Sequence, residues 1–253
     1  MPDNVPILAT TATANDRVVN DIKNQIGNSL VIQRGSLLRK SIQLQSITLP
    51  KQVERLAWLL EVVPKLPNSG IIYTLTTRDA KNVANWMSEN GISSLPYYSG
   101  ITSEEFPDTN DYRLYLEEQL SSKKMKVLVA TVALGMGYDK PDLGFVIHYQ
   151  APGSIIAYYQ QVGRAGRAIE EAYGILVSGE EDDEIHEFFR ENAFPKADWV
   201  HEILTTLGRL NGASILTLEQ EINLKRGQIE KTLKYLSVQE RPPVIKVGSQ
   251  WSR

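Results

Sequence analysis

Apolar positions along this chain change period repeatedly, and the changes divide it into elements. Four short runs are apolar throughout: Gly70-Ile71-Ile72-Tyr73, Val127 to Ala130, Phe145 to His148 and Tyr173 to Val177. Each is bounded by turn residues, the pattern of strands buried on both faces of a parallel sheet. Helical spacing fills the gaps. Pro50 opens a segment with Val53, Leu56, Leu59, Leu60 and Val63 on one face, and Pro64 to Ser69 reads as a turn. Thr76-Thr77-Arg78-Asp79 opens a helix through Val83, Trp86 and Met87 to Gly91. Residues 101–125 hold an acidic, aromatic helix with Tyr112, Tyr115, Leu116 and Leu120 as its core stripe. The run Glu180 to Glu184 suits a helix start, where the dipole favours negative charge, and reads as a solvated face. Strand–helix alternation from 70 to 190 predicts an α/β fold, a mostly parallel sheet covered by helices on both sides.

The two ends have different textures. Ile7 to Ala9 can finish a strand, and Asn15 can cap a helix carrying Val18, Val19, Ile22 and Ile26, closed by Gly27. Residues 28–49 alternate and predict two extended linking segments, one at Leu30-Val31-Ile32 and one through Ile42, Leu44, Ile47 and Leu49. After Phe194, three helices are expected. Trp199, Ile203, Leu204 and Leu207 mark the first, Thr217 to Ile222 a short second. Lys225 to Leu236 forms the third, with Ile229, Leu233 and Leu236 inward and Lys225, Arg226, Lys231 and Lys234 outward. A hairpin from Val244 to Trp251 completes a small winged-helix-like α+β domain. Such modules set the third helix in a DNA groove or against phosphates. A helical domain that only packs on its neighbour would give the same pattern.

Composition narrows the chemistry. With 253 residues, 42% hydrophobic and 23% charged, the chain can bury one large core plus a small one. No apolar run is long enough to span a bilayer and no signal-peptide pattern opens the chain, so no membrane partner is expected. Zero cysteines exclude disulfides and any thiolate-held zinc, and His148, His186 and His201 lack ligand spacing, so no metal site is expected. A net charge of −3 leaves no bulk footprint of nucleic-acid binding, so any such contact must be local.

Local candidates concentrate between Lys126 and Arg167. Gly135 and Gly137 let backbone pass close to a ligand with no Cβ in the way. Arg164 and Arg167, three apart and flanked by Gly163 and Gly166, suit a phosphate, because a guanidinium is a planar fork of donors that stays charged.

At these residues a family resemblance becomes specific. ATVALGMGYDKPD resembles motif V of the RecQ-family DNA helicases of superfamily 2, and YYQQVGRAGR resembles their motif VI. Upstream, ATTATA resembles motif III, which closes the first of two RecA-like domains. The resemblance implies a second RecA-like domain whose Arg164 and Arg167 face the γ-phosphate of ATP, with Gln160 tying nucleotide state to domain closure. It implies that Asp139 accepts from the ribose, with Gly137 and Gly163 beside the nucleotide. Thr131 matches a residue whose hydroxyl touches a strand phosphate. Thr76, Thr77 and Arg78 match motif IV loosely, and helix capping explains both threonines equally well. Ser99, in Tyr97-Tyr98-Ser99-Gly100, stands where the family has a histidine, so that histidine's job is in doubt. Thr11 and Thr13 would couple nucleotide state to DNA contact, and Lys225, Arg226 and Lys231 would meet DNA from the small domain.

No phosphate-loop run G-x-x-x-x-G-K-[ST] and no Asp-Glu-x-His run occurs in the sequence. The resemblance therefore implies the C-terminal half of a 3'-5' ATP-dependent DNA helicase of repair or recombination. Its expected layout is the end of the first RecA-like domain at 1–27, a linker at 28–49, the second RecA-like domain at 50–193 and the winged-helix-like domain at 194–253. ATP with Mg2+ would be the cofactor, the metal held by an N-terminal RecA-like domain that is also the chain's partner. DNA, single-stranded or a duplex with a single-stranded tail, would be the other partner. This chain alone should not hydrolyse ATP. The family's zinc module cannot form without cysteines. A bacterial-type cytoplasmic or nucleoid-associated location fits. Two rivals remain open: a superfamily 2 RNA helicase, and a non-catalytic module binding DNA or a protein partner.

Overall fold

The computed structural model describes residues 7–11, 16–27, 31–35, 39–135, 138–191 and 193–253. The chain forms two compact units, dividing between Asp182 and Asp183. In chain order the first contains α1 (Asp16–Ile26), β1 (Ile42–Thr48), α2 (Gln52–Val62), β2 (Gly70–Tyr73), α3 (Thr77–Glu89), β3 (Ser94–Tyr97), α4 (Thr109–Ser121), β4 (Val127–Ala130), β5 (Phe145–His148), α5 (Ile155–Val162) and β6 (Ala172–Ser178). Helix α6 (Glu181–Glu191) crosses the division.

The first unit is a six-stranded sheet in the order β1-β6-β5-β2-β4-β3, every adjacent pair parallel. Residues alternate between its faces. Ile72, Val127, Val129, Phe145 and Ile147 join Leu59 of α2 and Val83 and Met87 of α3 in one core. Ile71, Leu128, Val146 and Tyr73 join Leu116 and Leu120 of α4 and Val162 of α5 in the other. Strands β2, β4 and β5 are buried at every position, so their apolar runs are continuous rather than alternating.

Three readings of the sequence change here. Residues 42–48, expected in the linker, are a sheet strand paired along all their length with β6 from Ile42↔Ala172 to Thr48↔Ser178. As an edge strand β1 is largely exposed, which made it look like a connector. Val53, expected on the inner face of α2, is 71% exposed, and Arg55 is buried in that helix instead. The Arg55 guanidinium pairs with Glu181 and lies 4.7 Å from the centre of the Tyr149 ring, which makes its burial tolerable. That pairing also corrects the solvated face read for 180–184. Glu181 is held below its ordinary pKa: burial works against the charged form, and its backbone hydrogen bond and Arg55 outweigh it. Asp182 is buried and accepts from the amides of Ala151 (2.8 Å) and Gly179 (3.2 Å).

The second unit continues with α7 (Ala197–Leu210), β7 (Ala213–Ser214), α8 (Ile215–Glu221), α9 (Arg226–Ser237), β8 (Ile245–Val247) and β9 (Gln250–Ser252). Its strands form an antiparallel sheet in the order β7-β9-β8. Ile203, Leu207, Leu218, Ile229, Leu233 and Trp251 make its core. The division at Asp182 lies earlier than the expected boundary after 193 because all of α6 beyond its first two residues groups with this unit.

Candidate nucleotide and nucleic-acid site

All six strands of the first unit point the same way, so the sheet has one amino edge and one carboxyl edge. In open α/β sheets ligands bind outside the carboxyl ends of the strands. Candidate residues occupy both edges.

At the amino edge lies the Gly163–Arg167 loop. The Gly166 amide donates to the Leu143 carbonyl (3.0 Å) and the Ala168 amide to the Pro141 carbonyl (2.8 Å), just ahead of β5. Gly166 has φ +66°, and a Cβ there would meet the Ser41 Oγ at 2.8 Å, so glycine is required. The two arginines diverge. Arg164 turns inward, its Nη1 donating to the Tyr138 carbonyl at 3.0 Å, while its Nε is buried without a hydrogen-bond partner. Burial pushes the Tyr73 hydroxyl up to about 12, opposed by the neighbouring Arg164 charge. Arg167 faces outward, with a side chain 37% exposed, and pairs with exposed Asp139 at 2.6 Å. Gln160 is exposed near the end of α5, and Gly163 caps that helix. Gly137 and Thr13 lie outside the described residues. Thr11 is exposed.

At the carboxyl edge, α3 begins with Thr77 and Arg78 exposed to solvent. Thr76 is its N-cap: the hydroxyl accepts from the Asp79 amide at 3.0 Å and donates to the Asp79 carboxylate at 2.6 Å. Ser99 is exposed beyond β3. Thr131 follows β4, largely buried, its hydroxyl accepting from the Ala133 amide at 3.3 Å. With strands of four residues, the two edges lie on the order of 10 Å apart. The structure thus gathers Asp139, Arg164 and Arg167 on one side and Thr76, Thr77, Arg78, Ser99 and Thr131 on the other.

In the second unit, Lys225, Arg226 and Lys234 are exposed on or beside α9 and Lys231 is half-buried. Arg226 is tied to Glu230 at 2.8 Å, which offsets part of that helix's positive charge.

The helicase conserved C-terminal domain matches residues 52–169, from α2 through the Gly163–Arg167 loop. Over 181 residues the chain is 35% identical to the RecQ-like DNA helicase BLM of Xenopus laevis, covering 68% of this chain and 12% of that protein. The matched region is similar to the C-terminal part of RecQ-like helicases. A probable ATP-dependent DNA helicase RecS of Bacillus subtilis is 28% identical over 203 residues, covering 80% of this chain and 40% of that protein. The chain therefore spans well under half of either relative's length. Among solved structures, S. cerevisiae Dbp5 bound to RNA and ADP BeF3 superposes with a TM-score of 0.55 at 20% identity, covering 71% of this chain and 48% of that one. That likeness concerns the fold: the first unit is the RecA-like parallel sheet of helicase C-terminal domains.

Several side chains that shape these two edges carried no recognisable signal. Gln150, buried after β5, accepts from the Leu75 amide (2.9 Å) and donates to the Asp79 carboxylate (3.0 Å), bracing the start of α3. His148 and Gln161 meet at 2.8 Å between Tyr73 and Tyr158, and burial lowers the His148 pKa to about 4, keeping it neutral. Arg39 and Ser41 touch the Gly163–Arg167 loop from a segment that reads only as a connector. Each is a contact between residues far apart in sequence, invisible to local pattern.

Proposed function

We propose that this chain supplies the second RecA-like half of an ATP-dependent DNA helicase, acting on a single strand. The observation that carries the reading is the divergence of the two loop arginines. Arg167 presents a solvent-facing guanidinium, while Arg164 is anchored through one nitrogen and keeps another buried donor unpaired. The outward Arg167 fits a triphosphate: a cation aimed at oxygen atoms stabilises charge that grows during phosphoryl transfer. ATP with Mg2+, when bound to a phosphate-loop domain, supplies the energy of phosphoryl transfer.

This chain's own residues then have separate tasks. Arg167 leaves Asp139 and neutralises the outer phosphate, freeing Asp139 to accept from a sugar hydroxyl. Arg164 holds the loop at its distance from the sheet. Gly163 lies beside the nucleotide, as the family resemblance also implies for Gly137, Gln160 ties nucleotide state to domain closure, and Thr11 and Thr13 couple nucleotide state to DNA contact. On the other edge, Thr77, Arg78 and Ser99 with the Thr131 turn contact strand phosphates, which positions a strand without reading its sequence. Thr76 acts there through the helix start it caps. Lys225, Arg226 and Lys231 of a winged-helix module add duplex contacts. Closure on nucleotide and reopening afterwards would move the strand-gripping edge relative to the partner domain, in the 3'-5' direction that the family resemblance implies.

The test is ATP hydrolysis by this chain, alone and mixed with a phosphate-loop domain, with and without single-stranded DNA or RNA. Silence alone and DNA-stimulated turnover on mixing supports the reading. Stimulation by RNA and not DNA would move the substrate class, and no turnover on mixing would leave a binding module.

A further inference from the structure

We propose that Arg39 is a positioning residue for the Gly163–Arg167 loop, clamping the end of the linker to the arginines of the nucleotide site. The inference rests on the nucleotide reading given above.

Helix α5 ends at Val162, and its last carbonyls are taken locally, Gln161 by the Arg164 amide and Val162 by the Ala165 amide; the carbonyls that follow, at Gly163 and Ala165, need partners from elsewhere. The structure meets that need from 124 residues away. Arg39 Nη1 donates to the Gly163 carbonyl at 2.7 Å and to the Ala165 carbonyl at 2.9 Å. Two residues on, Ser41 Oγ donates to the Gly166 carbonyl at 2.7 Å, and the Ser41 carbonyl accepts from the Ala172 amide at 2.7 Å. Three carbonyls in the span 163–166 are thus taken by one short segment that leads into β1. A guanidinium is suited to this because it is permanently charged and rigid, and a cation at a helix C-terminus also offsets the dipole.

The carbonyls that Arg39 holds bracket Arg164, and the one Ser41 holds precedes Arg167. With them held, the backbone has little freedom to rotate, so Arg164 stays on the Tyr138 carbonyl and Arg167 keeps facing out. Arg39 also stands inside the linker that the family resemblance expects at 28–49, three residues before β1 joins the sheet. A pull on the linker is therefore delivered to the loop through Arg39 rather than through β1 alone.

Two measurements test this. In the chain itself, hydrogen exchange is compared for wild type, Arg39→Ala and Arg39→Lys. Arg39→Ala should raise exchange at the Gly166 and Ala168 amides by about tenfold while those of β2 and β4 stay protected. Arg39→Lys, which keeps the charge and a donor, should recover part of it. In the enzyme assembled with its phosphate-loop domain, Arg39→Ala should lower kcat by about tenfold with KM for ATP changed less than about twofold, since a misplaced arginine is missed most in the transition state. Unchanged exchange at Gly166 and Ala168 overturns the clamp. Looser exchange with wild-type kcat overturns its role in turnover. Absence of turnover in the wild-type assembly refutes the nucleotide reading beneath it, and the exchange result still decides whether the clamp exists.

Discussion

Replacing the two loop arginines separately should give two different phenotypes. Arg164 spends its charge inside the protein. Its Nη1 hydrogen bond to the Tyr138 carbonyl is 3.0 Å long, and its charge lies beside the buried Tyr73 hydroxyl. A hydrogen bond with one charged partner contributes about 1.5–3 kcal/mol, and removing it strands a carbonyl. Arg164→Ala should therefore cost about 2 kcal/mol, and at roughly 2–4 °C per kcal/mol for a protein of this size the Tm should fall by about 4–8 °C. Arg167 meets Asp139 at 2.6 Å with side chains 37% and 59% exposed. An exposed pair of this kind contributes about 0.5 kcal/mol, so Arg167→Ala should shift Tm by only about 1–2 °C. Thermal unfolding followed by circular dichroism reads both. ATP turnover in the assembled enzyme then separates the roles, because Arg167→Ala should lose it while remaining folded. Equal Tm values for Arg164→Ala and wild type would refute the inward anchoring. Full turnover in Arg167→Ala would refute its place opposite the phosphate.

Burial lowers the pKa of His148 from 6.5 to about 4, so the unfolded chain takes up this proton first as pH falls. Its contribution is present above pH 6.5 and is lost downward toward pH 4, about 1.4 kcal/mol of it by pH 5.5. Urea midpoints at pH 7.5 and 5.5 should show that loss in wild type and less of it in His148→Gln; identical losses would contradict a neutral buried imidazole. Thr76→Ala should destabilise by about 1 kcal/mol and Thr76→Ser by much less, since only the hydroxyl cap is at stake. An alanine variant as stable as wild type would return Thr76 to direct strand contact. Arg55 carries a buried Nε and Nη1 without partners. Arg55→Met should stay within about 1 kcal/mol of wild type, whereas Arg55→Ala should lose about 2–4 kcal/mol to a cavity. Equal denaturation midpoints for the two would mean that the ion pair, and not the packed stem, holds α2 in place.

Sequence alone determined the parts of this chain that depend on local period and local chemistry. The runs Gly70–Tyr73, Val127–Ala130 and Phe145–His148 are strands at those same residues, because a strand buried on both faces has no polar position to disguise it. Gly27 and Gly166 sit at positive φ where the chain must turn. The Gly163–Arg167 loop could be picked out because two fixed cations between glycines have few other uses. Tertiary structure alone decided what those cations do. Arg164 and Arg167 are equivalent as letters, and only the Tyr138 carbonyl and the Asp139 carboxylate send one inward and the other out. The alternation of β1 could not reveal its partner, since an edge strand displays its polar face and β6 lies about 130 residues further along. Nothing in the local pattern marks Arg55 for burial; Glu181 and Tyr149 meet it from across the fold. Hydrophobic period reports which side of an element faces a core; it is silent about which distant polar group waits there, because that pairing is set only when the chain closes on itself.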